Sequence, residues 1–281
     1  MFTKNSVQAQ VKIGIFADCQ YCDYETSGNR YYKNSLWKLT NCISEFNKSD
    51  EIDFVVGMGD LIDRDFVSFT EVKSILEDSR NEVFHVIGNH DFSVESEFLE
   101  KVPEQLNLSE TYYTFNKKGW RFIFLNGNEI TFQSSNPEII KQAENMIKQL
   151  SFENKPNNRK WNGGMSEAQI LWMEQQLREA QENEQKVALF CHYPILPLEA
   201  HTLWNSEEVL AVIEKYNCVK LWMNGHNHSG NYISNNGIHY ITFTGMVDTE
   251  TENAFSIVSI SENQVKIEGF GREKNRVLSI K

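Results

Sequence analysis

No apolar run in this sequence approaches the ~18 residues that a membrane-spanning helix needs, and the polar N-terminus, Met1–Gln10, lacks the apolar core of a secretory leader. A helical membrane protein is excluded, and we expect no export. A basic face is missing as well. The chain has 27 Lys and Arg against 39 Asp and Glu, a net charge of −12, and its densest basic stretches, Lys117-Lys118 and Arg272–Arg276, are brief. Proteins that grip an extended nucleic acid need clustered cations, so that partner class is disfavoured. Small phosphorylated molecules stay open, as does a plain solubilising role for the charge. The five cysteines are an odd number with no regular framework, which points to a reduced, cytoplasmic setting. There is no internal repeat and no low-complexity tract.

What is present is a 281-residue chain, 40% hydrophobic, ample for a buried core. Five apolar runs read as strands: Ile13–Phe16, Phe54–Val56, Val83–Ile87, Val187–Phe190 and Val219–Met223. Each runs into a polar cluster: Asp18-Cys19-Gln20, Gly59-Asp60 with Asp63, Gly88-Asn89-His90-Asp91, His192, and His226-Asn227-His228. If the five strands lie parallel in one sheet, their carboxyl ends carry every cluster to one edge, where open α/β folds bind ligands. Because the clusters span Asp18 to His228, cutting the chain inside that span would split the set. We therefore read residues 1–281 as one domain. Between the strands, Leu36, Leu39, Ile43 and Phe46 share a helical face, and Phe69–Asp78 reads as a second helix. Strand–helix–strand repeats of this kind argue for an α/β class. A hairpin follows (Tyr112–Phe115, Trp120–Leu125), then a polar helix over Asn136–Leu150, and a helix over Ser166–Ala180 opened by a Ser166/Gln169 capping box. The tail, Ile238–Thr244, Ala254–Ile260 and Gln264–Phe270, reads as a run of antiparallel strands.

Oxygen and nitrogen donors without thiolate suit Mn, Fe, Co or Zn. Asp60 is the candidate to bridge two cations, Asp18 is a second carboxylate, and Gln20 and Asn89 offer amide oxygens. His192, His226 and His228 offer imidazoles, the last two on one side of an extended segment. Two divalent ions ~3.5–4 Å apart acidify a shared water and clamp phosphoryl oxygens. The reading is therefore attack of a metal-bound hydroxide on phosphorus. His90 is a general acid or transition-state stabiliser, oriented by Asp63 or alternatively Asp91, and Asn89 shares with it the stabilisation of the phosphoryl oxygens. Taken singly, Gly-Asn-His-Asp reads as a turn and an Asp after a strand as a helix cap. Five clusters in order, each behind its own strand, are poorly explained that way.

The five-part pattern resembles the calcineurin-like metallophosphoesterase superfamily, with motifs D-x-H, G-D-x-x-D, G-N-H-D/E, a later H, and G-H-x-H, over Ile13 to about Ile260. The resemblance implies an α/β (α+β) fold, a four-layer α/β/β/α sandwich with mixed central sheets and two cations at its edge. One cation would take Asp18, Gln20, Asp60 and His228, the other Asp60, Asn89, His192 and His226. Gln20 replaces the usual histidine, and an amide oxygen donates less strongly. With that departure the chain looks like the manganese-dependent ADP-ribose/CDP-alcohol diphosphatase group. Further similarity lies in Arg30–Leu36, Asn162–Ser166 with Gln169 and Trp172, Asn224–Gly230, and 245–255. It implies hydrolysis of a nucleoside diphosphate linked to a sugar or alcohol, and a small nucleotide as partner. The alternatives are a cyclic-nucleotide phosphodiesterase or phosphomonoesterase of the same fold, and a metal-free interaction scaffold, which the complete donor set argues against.

Smaller signals remain. Cys19 and Cys22 form a C-x-x-C spacing, but no second one exists, and packing below the cation edge is preferred to a redox pair. Arg30 can pair with phosphate and Tyr31 or Tyr32 can stack on a base; a surface loop is the bland alternative. Asn162-Gly163-Gly164 offers backbone N–H groups to an anion or is a simple turn. His85 reads as a hydrogen-bonded strand residue, His239 as structural, and His201 as a cleft or surface residue.

Overall fold

The computed structural model describes residues 10–280; most of the polar N-terminal stretch discussed above lies outside them. Strand β1 (Val11–Phe16) leads to helix α1 (Ser35–Phe46), β2 (Phe54–Gly57), α2 (Phe69–Glu77) and β3 (Val83–His85). The short α3 (Val102–Gln105), the hairpin β4 (Tyr113–Lys117) and β5 (Trp120–Phe124), and α4 (Pro137–Phe152) follow. Next come α5 (Glu167–Glu182), β6 (Lys186–Phe190), α6 (Ser206–Ile213), β7 (Val219–Asn224), β8 (Asn231–Asn235) and β9 (Ile238–Thr242). The chain ends in β10 (Ala254–Ile260), β11 (Gln264–Gly271) and β12 (Arg276–Ser279). Among the described residues no helix is long and apolar enough to cross a membrane.

The strands form two six-stranded sheets, ordered β12-β11-β10-β1-β2-β3 and β4-β5-β6-β7-β9-β8. This corrects the expectation of five parallel strands in one sheet. Strands β1, β2 and β3 are parallel in the first, whereas β6 and β7 are parallel in the second. The hairpin explains the change. Strand β5 pairs antiparallel with β4 and parallel with β6, and so founds a new sheet rather than extending the old one.

Apolar residues two apart explain how the sheets stack. Ile13, Ile15, Phe54 and Val56 face Phe122, Phe124, Phe190, Leu221 and Met223 across the interior. The intervening residues look outward. Phe16 and Val55 pack on Leu39, Ile43, Phe46, Phe69 and Val72 of α1 and α2. Val187, Leu189 and Trp222 pack on Met173, Leu177, Val209 and Val212 of α5 and α6. Strands buried on both faces read as continuous apolar runs, and the layers are α/β/β/α.

The helix at 166–180 keeps half of its capping box. Ser166 Oγ accepts from Gln169 N at 3.2 Å, but the Gln169 side chain turns away, accepting from Asn126 N and donating to Asn126 O, each at 2.8 Å. The antiparallel tail is also corrected: β9 joins the second sheet, parallel to β7, and only β10, β11 and β12 form such a run. Strand β8 was not anticipated, although Asn236 (φ 50°) and Gly237 (φ 79°) make the turn to β9, a strong hairpin signal. His85 is bonded through its backbone, not its ring: its N–H donates to Tyr113 Oη at 3.2 Å, and that hydroxyl donates to His85 O at 2.9 Å.

Phe54 is a central tie between the sheets, through Phe115 and Phe122. Its ring meets Phe84, Phe115 and Phe122 edge-on, with centroids 5.6, 5.2 and 5.1 Å away. Phe54→Ala should cost about 3–5 kcal/mol in urea unfolding, because it opens a cavity between two rigid sheets. A loss below about 1 kcal/mol would mean that this contact does not hold the sandwich closed.

Candidate metal centre

The donors sit just past the carboxyl ends of β1, β2, β3, β6 and β7, at one edge of the sandwich. The chain turns there through conformations that side chains rarely adopt. Asp18 (φ 51°), Gln20 (φ 48°), Asp60 (φ 55°) and His226 (φ 67°) are all left-handed, and each such residue costs on the order of 1 kcal/mol or more. Neighbouring bonds hold them. Gln20 N donates to Asp60 O at 2.8 Å and Asp18 N to Gly59 O at 3.2 Å. The buried Asp91 carboxylate accepts from the N–H groups of Asp60, Leu61, Ile62 and Gly88 at 3.0, 2.7, 3.3 and 2.8 Å. Asp91 therefore ties two donor loops together instead of orienting His90.

Side chains converge on Asp60. Its Oδ1 accepts from His90 N at 2.8 Å, and its Oδ2 accepts from Gln20 Nε2 at 3.0 Å and lies 3.2 Å from His192 Nε2. Ligand atoms of Asp60, His192 and His226, all buried, lie within 4.8 Å of one another. Each imidazole is anchored by its far nitrogen, which leaves the other turned inward. His192 Nδ1 donates to Met58 O at 2.8 Å, and His226 Nε2 donates to Asn162 Oδ1 at 2.9 Å. His228 Nδ1 donates to Asp248 Oδ1 at 3.0 Å, and its Nε2 lies 3.5 Å from Asp18 Oδ1. Asp18 is fully buried and accepts from His226 N through both oxygens at 3.1 Å.

Two buried amide oxygens, Gln20 Oε1 and Asn89 Oδ1, have no hydrogen-bond partner. An orphaned buried acceptor is costly, and both belong to the donor set read from the sequence. A divalent cation would satisfy each of them, so the residues present fit the group. Burial opposes a proton on His192, yet Asp60 overrides it and lifts the ring to about 9. Burial and the neighbouring His192 hold His226 well below its usual value. Burial also opposes ionisation of Asp60, but His192 and His90 keep its carboxyl below the ordinary range. Asp60 is thus the ionised centre on which the buried histidines lean.

His90 Nδ1 lies 2.9 Å from Asp63 Oδ1, off the line of an ideal hydrogen bond, and the ring faces the cleft. Burial lowers its proton affinity, but Asp60 and Asp63 raise it further, for a net rise. The cleft, about 510 Å³, is bordered by Arg30, Trp161, His201, Asn227 and Ser229 beside the donors. Arg30 is set by backbone pairing with Asp248. Tyr31 is not in the cleft wall: its N–H donates to Val247 O at 3.0 Å and the chain then turns into a short helix. Tyr32 is buried against Cys22 and Val247.

The 162–164 segment offers no anion nest, since Asn162 N and Gly164 N are spent on Arg159 O and Ile130 O at 3.1 and 2.9 Å. Its contribution is the Asn162 side chain, fixed by donating to Asn157 O and Ala200 O at 3.1 and 2.8 Å. Cys19 and Cys22 are free and buried, and burial pushes both thiols up to about 12, which leaves the redox reading unsupported. The sequence reading marked 162–166 and 245–255 but gave the Asn162 and Asp248 side chains no role toward the histidines, and it missed Trp161. The one available signal was a tryptophan in an otherwise polar loop.

Gly88 admits the closest approach in the centre. A Cβ there would fall 2.0 Å from Asp60 Oδ1 and 2.3 Å from Asp60 N, and a backbone nitrogen cannot swing aside. Gly88→Ala should therefore keep its far-UV circular dichroism but lose most bound metal after dialysis, as measured by elemental analysis. Metal content equal to that of the parent protein would contradict this packing.

A family model for calcineurin-like phosphoesterases matches residues 11–230. Relatives named manganese-dependent ADP-ribose/CDP-alcohol diphosphatase include one from Xenopus laevis, 28% identical over 98% of this chain and 92% of that protein. Another, from Homo sapiens, is 26% identical over 99% of this chain and 95% of that protein. In fold, a dimetal phosphatase from Danio rerio superposes with a TM-score of 0.87 at 24% identity, covering 96% of this chain and 99% of that one. A family match of that extent makes the chain a member of the calcineurin-like phosphoesterase family, and with it a metal-dependent hydrolase of phosphoester bonds.

Proposed function

We propose that this protein hydrolyses the pyrophosphate bond of small nucleotide conjugates of the ADP-ribose or CDP-alcohol type, with two divalent cations, manganese foremost. The observation that carries the reading is the pair of orphaned amide oxygens, Gln20 Oε1 and Asn89 Oδ1, beside the buried Asp60, His192 and His226. Relatives bearing the manganese-dependent diphosphatase name align over nearly their whole length, which supports the substrate class. The donors come from strand ends of both sheets, which supports a chain acting as one domain. Five free, buried cysteines accord with a reduced cytoplasmic setting. The net charge of −12 accords with a small substrate rather than extended nucleic acid.

In this reading Asp18, Gln20, Asp60 and His228 hold one cation, and Asp60, Asn89, His192 and His226 hold the other. Bound there, the cations supply charge neutralisation at the phosphoryl oxygens and an acidified water. Arg30 grips a phosphate through its guanidinium. His90, oriented by Asp63, donates a proton to the leaving phosphate oxygen. The products are a nucleoside monophosphate and a phosphorylated sugar or alcohol.

Two measurements test the reading. Manganese-loaded protein should convert ADP-ribose to AMP and ribose phosphate, and CDP-choline to CMP and phosphocholine, by chromatography. Turnover of cyclic AMP or simple phosphomonoesters alone would replace the substrate class. His90→Ala should bind both cations while kcat falls by about 10²–10⁴; an unchanged kcat would remove His90 from the chemistry.

A further inference from the structure

The loop of residues 245–249 supplies none of the seven donors, yet its carbonyl groups converge on buried positive charge. Lys38, on the inward face of α1, is wholly buried. Its ammonium donates to Met246 O at 2.9 Å, Asp248 O at 2.8 Å and Thr249 O at 2.7 Å, and Val247 O lies at 3.5 Å. An ammonium has three protons, and the three short bonds account for them. Arg272 Nη2 donates to Gly245 O in addition, and to Asp248 O at 3.3 Å. No carboxylate pairs with Lys38 within salt-bridge distance among the described residues. Burying a lysine in this way is expensive, and the expense is localised at one loop.

The other side of that loop faces the metal centre. Asp248 Oδ1 accepts a hydrogen bond from His228 Nδ1 at 3.0 Å. Gly245 N donates to His228 O at 3.1 Å, Met246 N to Ala17 O at 2.8 Å, and Val247 N to Asp18 O at 2.9 Å. The loop is therefore a plate: its carbonyls meet Lys38, and its amides and one carboxylate meet the segments carrying Asp18 and His228. His192 and His226 are fixed instead by Met58 and Asn162, neither of which shares a hydrogen bond with this loop among the described residues.

We infer that Lys38 is a positioning residue for one half of the centre. By clamping the 246–249 carbonyls it fixes Asp248, and through Asp248 the ring of His228, so that the cation held by Asp18, Gln20 and His228 depends on it. The cation on the Asn89, His192 and His226 side does not. The inference rests on the two-cation reading above. A partner behind a metal-binding histidine is worth about 10–100-fold in affinity, and that is the scale expected here.

The test is manganese titration of the folded protein by calorimetry, with fold checked by circular dichroism. The parent should bind two cations, and Lys38→Met should keep one site and weaken the other at least about tenfold. Asp248→Asn, which leaves the clamp in place, should reproduce that selective loss. In Lys38→Ala, methylammonium in the buffer should restore the weakened site, since it returns the cation to the carbonyls. A parent that binds fewer than two cations overturns the two-cation reading itself. With two bound by the parent, unchanged affinities in Lys38→Met, or equal weakening of both sites, overturn the role of Lys38. If Lys38→Met does not fold, Asp248→Asn decides: two unaltered sites overturn the inference, and loss of one supports it.

Discussion

A buried carboxylate stays charged only when its surroundings hand it donors, and Asp60 takes its donors from both sheets. Gln20 comes from the end of β1, the His90 amide from the end of β3, and His192 from the end of β6 in the other sheet. Strands in different sheets share no ladder of backbone hydrogen bonds, so their register is set by side chains, through apolar packing and ties such as Tyr113 Oη to the His85 backbone. The edge where they meet is the place where a small slide would matter most. Asp60 closes that edge. The phenylalanine contacts between the sheets, with Phe54 in the middle, fix the spacing that lets a single carboxylate reach across.

The same convergence makes the edge strained. Four donor residues adopt left-handed backbone conformations, which a chain selected only for stability would give to glycine. The offset is visible in groups that take no part in ligation. Asp91 gathers amides from the Asp60 and Gly88 loops, Lys38 gathers carbonyls behind Asp18 and His228, and Asn162 is fixed at both amide protons so that its oxygen meets His226. Each is a buried polar side chain with its capacity spent on backbone. Such networks are worth having only when fully satisfied, and here they convert strain at the edge into a fixed arrangement of donors.

Much of this was legible in the sequence because the chemistry is local. A donor one to four residues beyond an apolar strand must emerge at the strand's carboxyl end, whichever sheet the strand joins. For that reason the donor clusters could be read together although the assignment of their strands to a single sheet was wrong. Strands β1 and β6 are equally apolar, and nothing in a strand buried on both faces names its neighbour. The Asn236-Gly237 turn was readable and passed over, since β8 alternates weakly between half-buried and exposed residues. Asp248, Asn162 and Lys38 were illegible for a different reason. Each acts on a residue about 20 or more positions away through a tertiary contact, and no local pattern distinguishes a lysine that caps a loop from one on a solvated helix face.

Gln20 gives the arrangement its chemical character. An amide oxygen is a weaker donor than imidazole, so a cation held there would depend more on its other ligands. His228 is better equipped than an isolated histidine: Asp248 accepts a hydrogen bond from its Nδ1–H, which fixes the tautomer and the orientation of the ring. Gln20 is itself restrained, because its Nε2 donates to Asp60 Oδ2, while its Oε1 stays without a hydrogen-bond partner. An amide can be held this way and still offer an oxygen, whereas an imidazole at the same position would have to give Asp60 one nitrogen and the cation the other. The substitution therefore exchanges donor strength for a second tie to Asp60. The weaker ligand would be tolerable because the carboxylate-backed histidine stands beside it, with Gln20 Nε2 and His228 Nε2 3.2 Å apart.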